Sequence, residues 1–276
     1  MHHDDHDRGL AHDLKVLTSR LPRRPLLRWL AGASLVPVFG CSGSGGAGSN
    51  ARGANSSAGA GSGGAGAASP CPTIPEETAG PFPGDGTIGD NALTLSGIVR
   101  SDIRSSIGEA SGTAEGVLLT LRLTIVDSND SCAPLAGYAV YLWHCDREGY
   151  YSMYTLPTEN YLRGVQETGA DGSVTFTTIF PGCYPGRWPH MHFEVYASLD
   201  AATDAANTVA TSQLAFAQDV CEAAYAAEGY ASSVTQLARL SLASDGVFAD
   251  GSSSQVASLS GDPETGFTGS LTVAVG

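Results

Sequence analysis

Two histidines separated by one residue, His190-Met191-His192, lead into a run of strand-forming residues that ends at Tyr196. In a β-strand, residues i and i+2 point to the same face, roughly 6–7 Å apart. Both imidazoles can therefore reach one metal ion. Because zinc, copper and iron all accept imidazole ligands, this spacing predicts a metal site without naming the metal.

Beyond residue 40 the chain has one other histidine, His144, in the sequence Trp143-His144-Cys145. One hypothesis is a copper or zinc site built from all three histidines, which requires His144 to point into the same pocket. Under this hypothesis the protein is a non-catalytic, metal-binding β-sandwich displayed at the cell surface. The other hypothesis makes His144 a structural residue of a strand.

The elements that must position these side chains are predicted to be mostly strands. Clusters of Asp, Asn, Ser, Pro and Gly separate short runs rich in β-branched and apolar residues, and only 217–243, rich in Ala, favours helix. The predicted strands are 117–126, 138–143, 174–179, 192–196 and 271–275. Many short strands in about 200 residues predict one all-β domain, a β-sandwich of mostly antiparallel strands.

Several motifs that flank the histidines occur in a recognisable order. They are Thr78-Ala79-Gly80-Pro81-Phe82, Trp143-His144-Cys145-Asp146 with Gly149-Tyr150-Tyr151-Ser152, Leu162-Arg163-Gly164, and Pro181-Gly182-Cys183-Tyr184-Pro185-Gly186-Arg187 continuing to His190 and His192. This series resembles the intradiol ring-cleavage dioxygenases over roughly 71–276. The resemblance is closest to the short, secreted members, which lack the helical N-terminal segment of the intracellular catechol dioxygenases.

The resemblance implies a non-haem Fe(III) ion held by Tyr151, Tyr184, His190 and His192. Tyr151 is chosen over Tyr150 and Tyr154 because the family's tyrosine directly precedes a serine. Phenolate is a hard anionic ligand, and a strong Lewis acid must lie beside it to ionise a phenol whose pKa is near 10. The implied reaction opens a catechol-type ring between its two hydroxylated carbons with O2, giving a muconate-type diacid.

Further roles are also implied by the resemblance. Arg187 matches an active-site arginine that stabilises negative charge, Gln213 matches a glutamine behind the ligands, and Tyr184 is the ligand that substrate displaces. His144 matches no ligand position. For Arg163 two roles stay open, a pocket wall or an ion pair at a strand end.

The N-terminal 70 residues do not resemble a globular domain. In residues 1–40, Arg23 and Arg24 precede a short apolar run, which predicts a Tat-like export signal that is too short to span a membrane. Gly40-Cys41 resembles the end of a bacterial lipobox, although Phe39 replaces the usual small residue. Residues 41–70, almost only Gly, Ser, Ala and Asn, predict a flexible tether. We therefore expect an exported protein, secreted or anchored to the membrane by a lipid on Cys41.

The charge of the chain argues against nucleic acid as a partner. Residues 1–40 hold six of the 14 basic and four of the 28 acidic residues, so the remainder carries 24 acidic against eight basic side chains, a net of −16. So acidic a body repels phosphate backbones. The expected partners are a small aromatic diol and O2.

Five cysteines follow Cys41: Cys71, Cys132, Cys145, Cys183 and Cys221. Export favours disulfides, and an odd number leaves at least one thiol unpaired. Since Cys183 stands where the family resemblance leads us to expect an aromatic residue, and Cys221 is likewise unexpected, a bond between these two is a hypothesis.

Overall fold

The structure, a computed structural model, describes residues 71–276. The predicted export segment, Cys41 and the tether lie outside the described residues. The strands are β1 (Leu118–Asp127), β2 (Ala133–Pro134), β3 (Ala139–Trp143), β4 (Arg163–Glu167), β5 (Ser173–Ile179), β6 (His190–Tyr196), β7 (Thr208–Ala215), β8 (Ser258–Asp262) and β9 (Gly266–Val275). The helices are α1 (Gln218–Tyr225) and α2 (Ala231–Leu237), and four single 3-10 turns complete the elements.

The strands form two sheets that pack as a sandwich. One sheet has the order β2-β1-β9-β8, with β5 also paired to β1, and the other has the order β4-β3-β6-β7. All pairs are antiparallel except β1 with β9. The predicted all-β sandwich of mostly antiparallel strands is confirmed.

The core between the sheets follows from alternation along the strands. In β1 every second residue is buried, from Leu119 to Ile125, because successive side chains point to opposite faces. These residues belong to one apolar cluster with Val140 and Leu142 of β3 and with Phe193 of β6. Strand β1 of the first sheet therefore packs against the centre of the second sheet.

Strand β6 is buried on both faces, and the two faces pack against different apolar clusters. Met191, Phe193 and Val195 join the core between the sheets. His190 and His192 point to the opposite face of β6, where a second apolar cluster of Tyr141, Trp143, Tyr151 and other residues covers the sheet. The predicted shared face of the two histidines is confirmed, and it lies away from the five-stranded sheet.

The sequence prediction missed four strands, and one cysteine hypothesis was wrong. β2, β4, β7 and β8 are short, polar or partly exposed, so they lack the apolar pattern used for the other five.

The disulfide joins Cys71 to Cys132, whose Cα atoms are 5.7 Å apart, and the hypothetical bond between Cys183 and Cys221 is absent. Both of these residues are buried free thiols, as is Cys145.

Both helices fall within the stretch expected to hold helix. Within 71–276, neither is long and apolar enough to cross a lipid bilayer.

Candidate active site

Four polar side-chain tips converge on the outer face of β6. His190 Nε2 lies 3.1 Å from His192 Nε2, 3.3 Å from Tyr184 Oη and 3.5 Å from Tyr151 Oη. The rings of Tyr151 and Tyr184 meet edge to face, with centroids 6.0 Å apart. The structure therefore brings together the four residues that the family resemblance selected as ligands.

The two tyrosines come from loops whose local chemistry lets them meet. After β3 the chain turns at Asp146, whose Oδ1 accepts hydrogen bonds from the backbone N–H groups of Glu148 and Tyr150. Gly149 completes the turn at φ +92°, and a Cβ there would lie 3.0 Å from the Cβ of Tyr184. A side chain at position 149 would therefore push apart the loops that carry Tyr151 and Tyr184.

The histidine rings are oriented by their surroundings. The backbone carbonyl of Trp188 accepts a hydrogen bond from His190 Nδ1 at 2.5 Å, so Nε2 of that ring carries the lone pair. His192 stacks on Trp143, with centroids 5.0 Å apart and planes 9° apart. Its Nδ1 is buried, and the backbone of Thr78 lies close to the ring.

Burial determines which protonation states this site favours without a cation. It lowers the pKa values of His190 and His192 well below their ordinary value, and the neighbouring Arg187 lowers both further. Burial also raises the pKa of Tyr151 well above its ordinary value, and the charge of Tyr184 adds to this. The site alone therefore favours neutral imidazoles and a neutral Tyr151 phenol.

The lone pairs and protons in this cluster do not match one another. Nε2 of His190 has one lone pair, which can accept one well-directed hydrogen bond, yet three other polar tips lie within 3.5 Å of it. A metal ion satisfies such a set, because ligands about 2.0–2.2 Å from one metal lie about 3 Å from each other. Two phenol oxygens and two imidazole nitrogens at these separations fit a hard, highly charged transition-metal ion.

The three-histidine alternative is not supported by this geometry. His144 has both ring nitrogens occupied, with Nδ1 2.7 Å from the carbonyl oxygen of Cys145 and Nε2 2.7 Å from Oγ1 of Thr178. Its burial lowers its pKa to about 4. Among residues 71–276, no three His, Cys, Asp or Glu side chains are grouped so as to hold a metal ion. A metal site on β6 therefore needs the tyrosines.

Arg163 joins two segments of the chain beside the site through a set of hydrogen bonds. Its buried guanidinium donates to the carbonyl oxygens of Phe82 and Pro83 at 3.0 and 2.7 Å, and to both oxygens of Ser152. It thus ties the segment 78–83 to the residue that follows Tyr151. That segment covers the site: the Phe82 ring packs 4.9 Å from that of Tyr151, and Gly80 lies against His192.

Arg187 and Gln213 lie together next to the four converging side chains. Arg187 Nη2 donates to Oε1 of Gln213 at 2.5 Å, and Gln213 donates to the carbonyl oxygen of Thr78 at 2.8 Å. Gln213 pairs with His192 in the register of β6 and β7, so its side chain points to the same face. Burial lowers the pKa of Arg187, but the charges of Tyr184 and Asp245 raise it above its ordinary value, so the guanidinium stays charged.

Comparison with known proteins places this arrangement in a family. The crystal structure of an intradiol ring-cleavage dioxygenase from Tetranychus urticae matches with a TM-score of 0.56 and 27% identity, over 74% of this chain and 94% of that one. A family model described as "Dioxygenase" matches residues 100–243, more than half of the chain. The chain belongs to the intradiol ring-cleavage dioxygenase family. Another dioxygenase crystal structure matches with a TM-score of 0.58 and 26% identity, over the same shares of the two chains. A search of curated proteins finds no match.

Sequence reasoning missed one charged group of this dioxygenase site. Asp245 is fully buried, and its Oδ2 accepts from Arg187 Nε at 3.0 Å. Asp245 follows the 3-10 turn Leu242–Ser244, 58 residues beyond Arg187. In the sequence, Asp245 is one acidic residue near the apolar pair Val247-Phe248, and this pattern is too common to identify a site residue.

The contact between Gly80 and His192 predicts that Gly80→Ala impairs this dioxygenase. Gly80 has φ +72°, and an added Cβ would lie 3.2 Å from Cε1 of His192. Displacing a ring that belongs to the site should lower activity by about 10-fold or more, as measured by oxygen uptake with catechol. Gly108→Ala is the matched control, because Gly108 has φ +65° with nothing within 4 Å of an added Cβ.

Both variants carry the same backbone strain, so both should lose a similar free energy of unfolding, about 1–2 kcal/mol. Equal activity in the two variants would show that the contact with His192 is unimportant.

Proposed function

We propose that this chain is a non-haem Fe(III)-dependent intradiol dioxygenase that cleaves catechol-type rings between the two hydroxylated carbons. The single observation that carries the proposal is the convergence of Tyr151, Tyr184 and His192 on Nε2 of His190, within 3.5 Å. Two phenolates favour Fe(III) over Fe(II), because a hard anionic oxygen stabilises the higher charge. Two anionic and two neutral ligands would offset most of the charge of the ferric ion, which lowers the cost of burying it.

When bound, the ferric ion would supply a Lewis acid that activates the catecholate ring toward O2 and organises the reactants. The overall change adds both atoms of one O2 molecule to the diol and gives a muconate-type diacid, so no further reductant is needed.

Tyr184 would be the ligand that gives way to the substrate. It is half-buried, whereas Tyr151 is only 2% exposed and is held against Phe82. A phenolate released from a metal is a base, because the ordinary pKa of a phenol is near 10. Oη of Tyr184 can therefore accept a proton from a substrate hydroxyl as the diol binds.

Arg187 and Gln213 would stabilise negative charge that develops on the substrate. The guanidinium is buried and held by hydrogen bonds to Gln213 and Asp245, so it need not reorganise during the reaction. A fixed cation inside a low-dielectric pocket stabilises a developing anion far more than it would in water. The proposed substrate class is a small aromatic diol.

The sequence supports placing this enzyme outside the cytoplasm. The Tat-like segment in residues 1–40 suits export of a folded protein with its metal already bound. We propose an exported bacterial enzyme, secreted or anchored through a lipid on Cys41. Mass spectrometry of the mature N-terminal peptide tests this, since an intact Met1 on the protein in its host would contradict export.

The reaction is tested by supplying the iron-loaded chain with catechol and isotopically heavy O2. Intradiol cleavage predicts a muconate-type diacid that contains both heavy oxygen atoms, identified by mass spectrometry. Tyr184→Phe should lower the rate by at least about 10-fold, because it removes a base that acts on the substrate. Tyr138→Phe is the control, since Tyr138 lies against the core between the sheets.

A quinone product, a semialdehyde from cleavage beside the diol, or equal rates in the two variants would contradict the proposed reaction or the role of Tyr184.

A further inference from the structure

The carboxylate of Asp245 is fully buried and uses both oxygens as acceptors. Oδ2 accepts from Nε of Arg187 at 3.0 Å and from the backbone N–H of Trp188 at 2.6 Å. Oδ1 accepts from the backbone N–H groups of Val247 at 2.8 Å and Phe248 at 3.3 Å. Four donors from two distant stretches of the chain therefore fix this one side chain.

These bonds connect Asp245 to two parts of the site at once. The first runs through the Arg187 guanidinium, whose Nη2 donates to Gln213. The second connection runs through the backbone of Trp188. Its N–H donates to Asp245, and its carbonyl accepts from His190 Nδ1. One carboxylate thus holds both the cation of the site and the residue that orients a histidine.

The Arg187–Asp245 pair is buried on both sides, with side chains only 3% and 0% exposed. A buried charge is tolerated only when it is paired and hydrogen-bonded, so Asp245 compensates for the desolvation of the guanidinium. A guanidinium is planar, and contacts on its Nε and Nη2 atoms define its plane. Without Asp245, the Arg187 guanidinium would lose one of the two side-chain hydrogen bonds that hold it within residues 71–276, and it could rotate.

We infer that Asp245 is a positioning residue of this dioxygenase, which holds the Arg187 guanidinium at the angle from which it stabilises charge on the substrate. The inference rests on the proposed function, in which Arg187 meets the substrate. Asp245 touches no reacting atom; it acts through Arg187 and the Trp188 peptide.

A merely structural role would give a different pattern. If Asp245 only pinned the segment 245–248 to the domain, its replacement would lower stability and leave the turnover of folded enzyme unchanged. If it positions Arg187, its replacement lowers kcat, and this loss depends on the presence of Arg187.

The test is a double-mutant cycle in the full-length, iron-loaded protein with Asp245→Asn, Arg187→Gln and the double variant. For each, kcat and KM for catechol are measured, together with the change in visible absorption on anaerobic titration with catechol. We expect Asp245→Asn to lower kcat by about 10- to 100-fold, with a smaller change in KM and an intact absorption change. The double variant should be no slower than Arg187→Gln alone.

The result that would overturn the inference is a wild-type kcat in folded Asp245→Asn, or losses that multiply in the double variant. If Asp245→Asn does not fold, Asp245→Glu keeps the charge and displaces the carboxylate by one methylene group. Positioning predicts that this variant is slow, whereas a role limited to charge compensation predicts wild-type turnover. An inactive wild-type enzyme would refute the proposed function itself, and the inference with it.

Discussion

The rest of the site depends on one crowded point, Nε2 of His190. The Trp188 carbonyl accepts a hydrogen bond from Nδ1–H, so Nε2 presents a lone pair to three other polar tips within 3.5 Å. In a buried site such a set is costly unless one partner satisfies all of it. A single central cation would do so, and under the proposed function this constraint accounts for phenols and imidazoles that lie together, buried, on the outer face of one sheet.

Much of the surrounding structure holds these four side chains in place. β6 is rigid because both faces are buried, and its Phe193 face is anchored in the core between the sheets. Trp143 stacks on His192, Arg163 holds the 78–83 segment over the site, and Asp245 fixes Arg187. Disulfide Cys71–Cys132 ties the chain that precedes this covering segment to the turn between β1 and β2. The site thus rests on a strand and a set of buried polar contacts, which suits a reaction that needs a fixed electrostatic environment.

The sequence predicted those features that repeat locally. Short runs of β-branched and apolar residues between turn clusters predicted the all-β class, and the i, i+2 spacing predicted the shared face of His190 and His192. Spacing could not find Tyr151 and Tyr184, because loop residues far apart in sequence meet only in the fold; the order of the family motifs was needed. Asp245 was missed, since its partner Arg187 is 58 residues away. The same lack of local signal explains the wrong cysteine hypothesis, because disulfide pairing depends on distances that only the folded chain defines.

The central claim, that both tyrosines and both histidines share one ferric ion, is tested most directly by visible absorption with metal analysis of the full chain. The account predicts one iron per chain and a tyrosinate-to-iron charge-transfer band in the visible range that changes when catechol is added anaerobically. Tyr151→Phe should weaken and shift the band, whereas Tyr138→Phe should leave it unaltered. A protein that stays colourless after loading with Fe(III), or one that holds stoichiometric zinc or copper, would contradict the account.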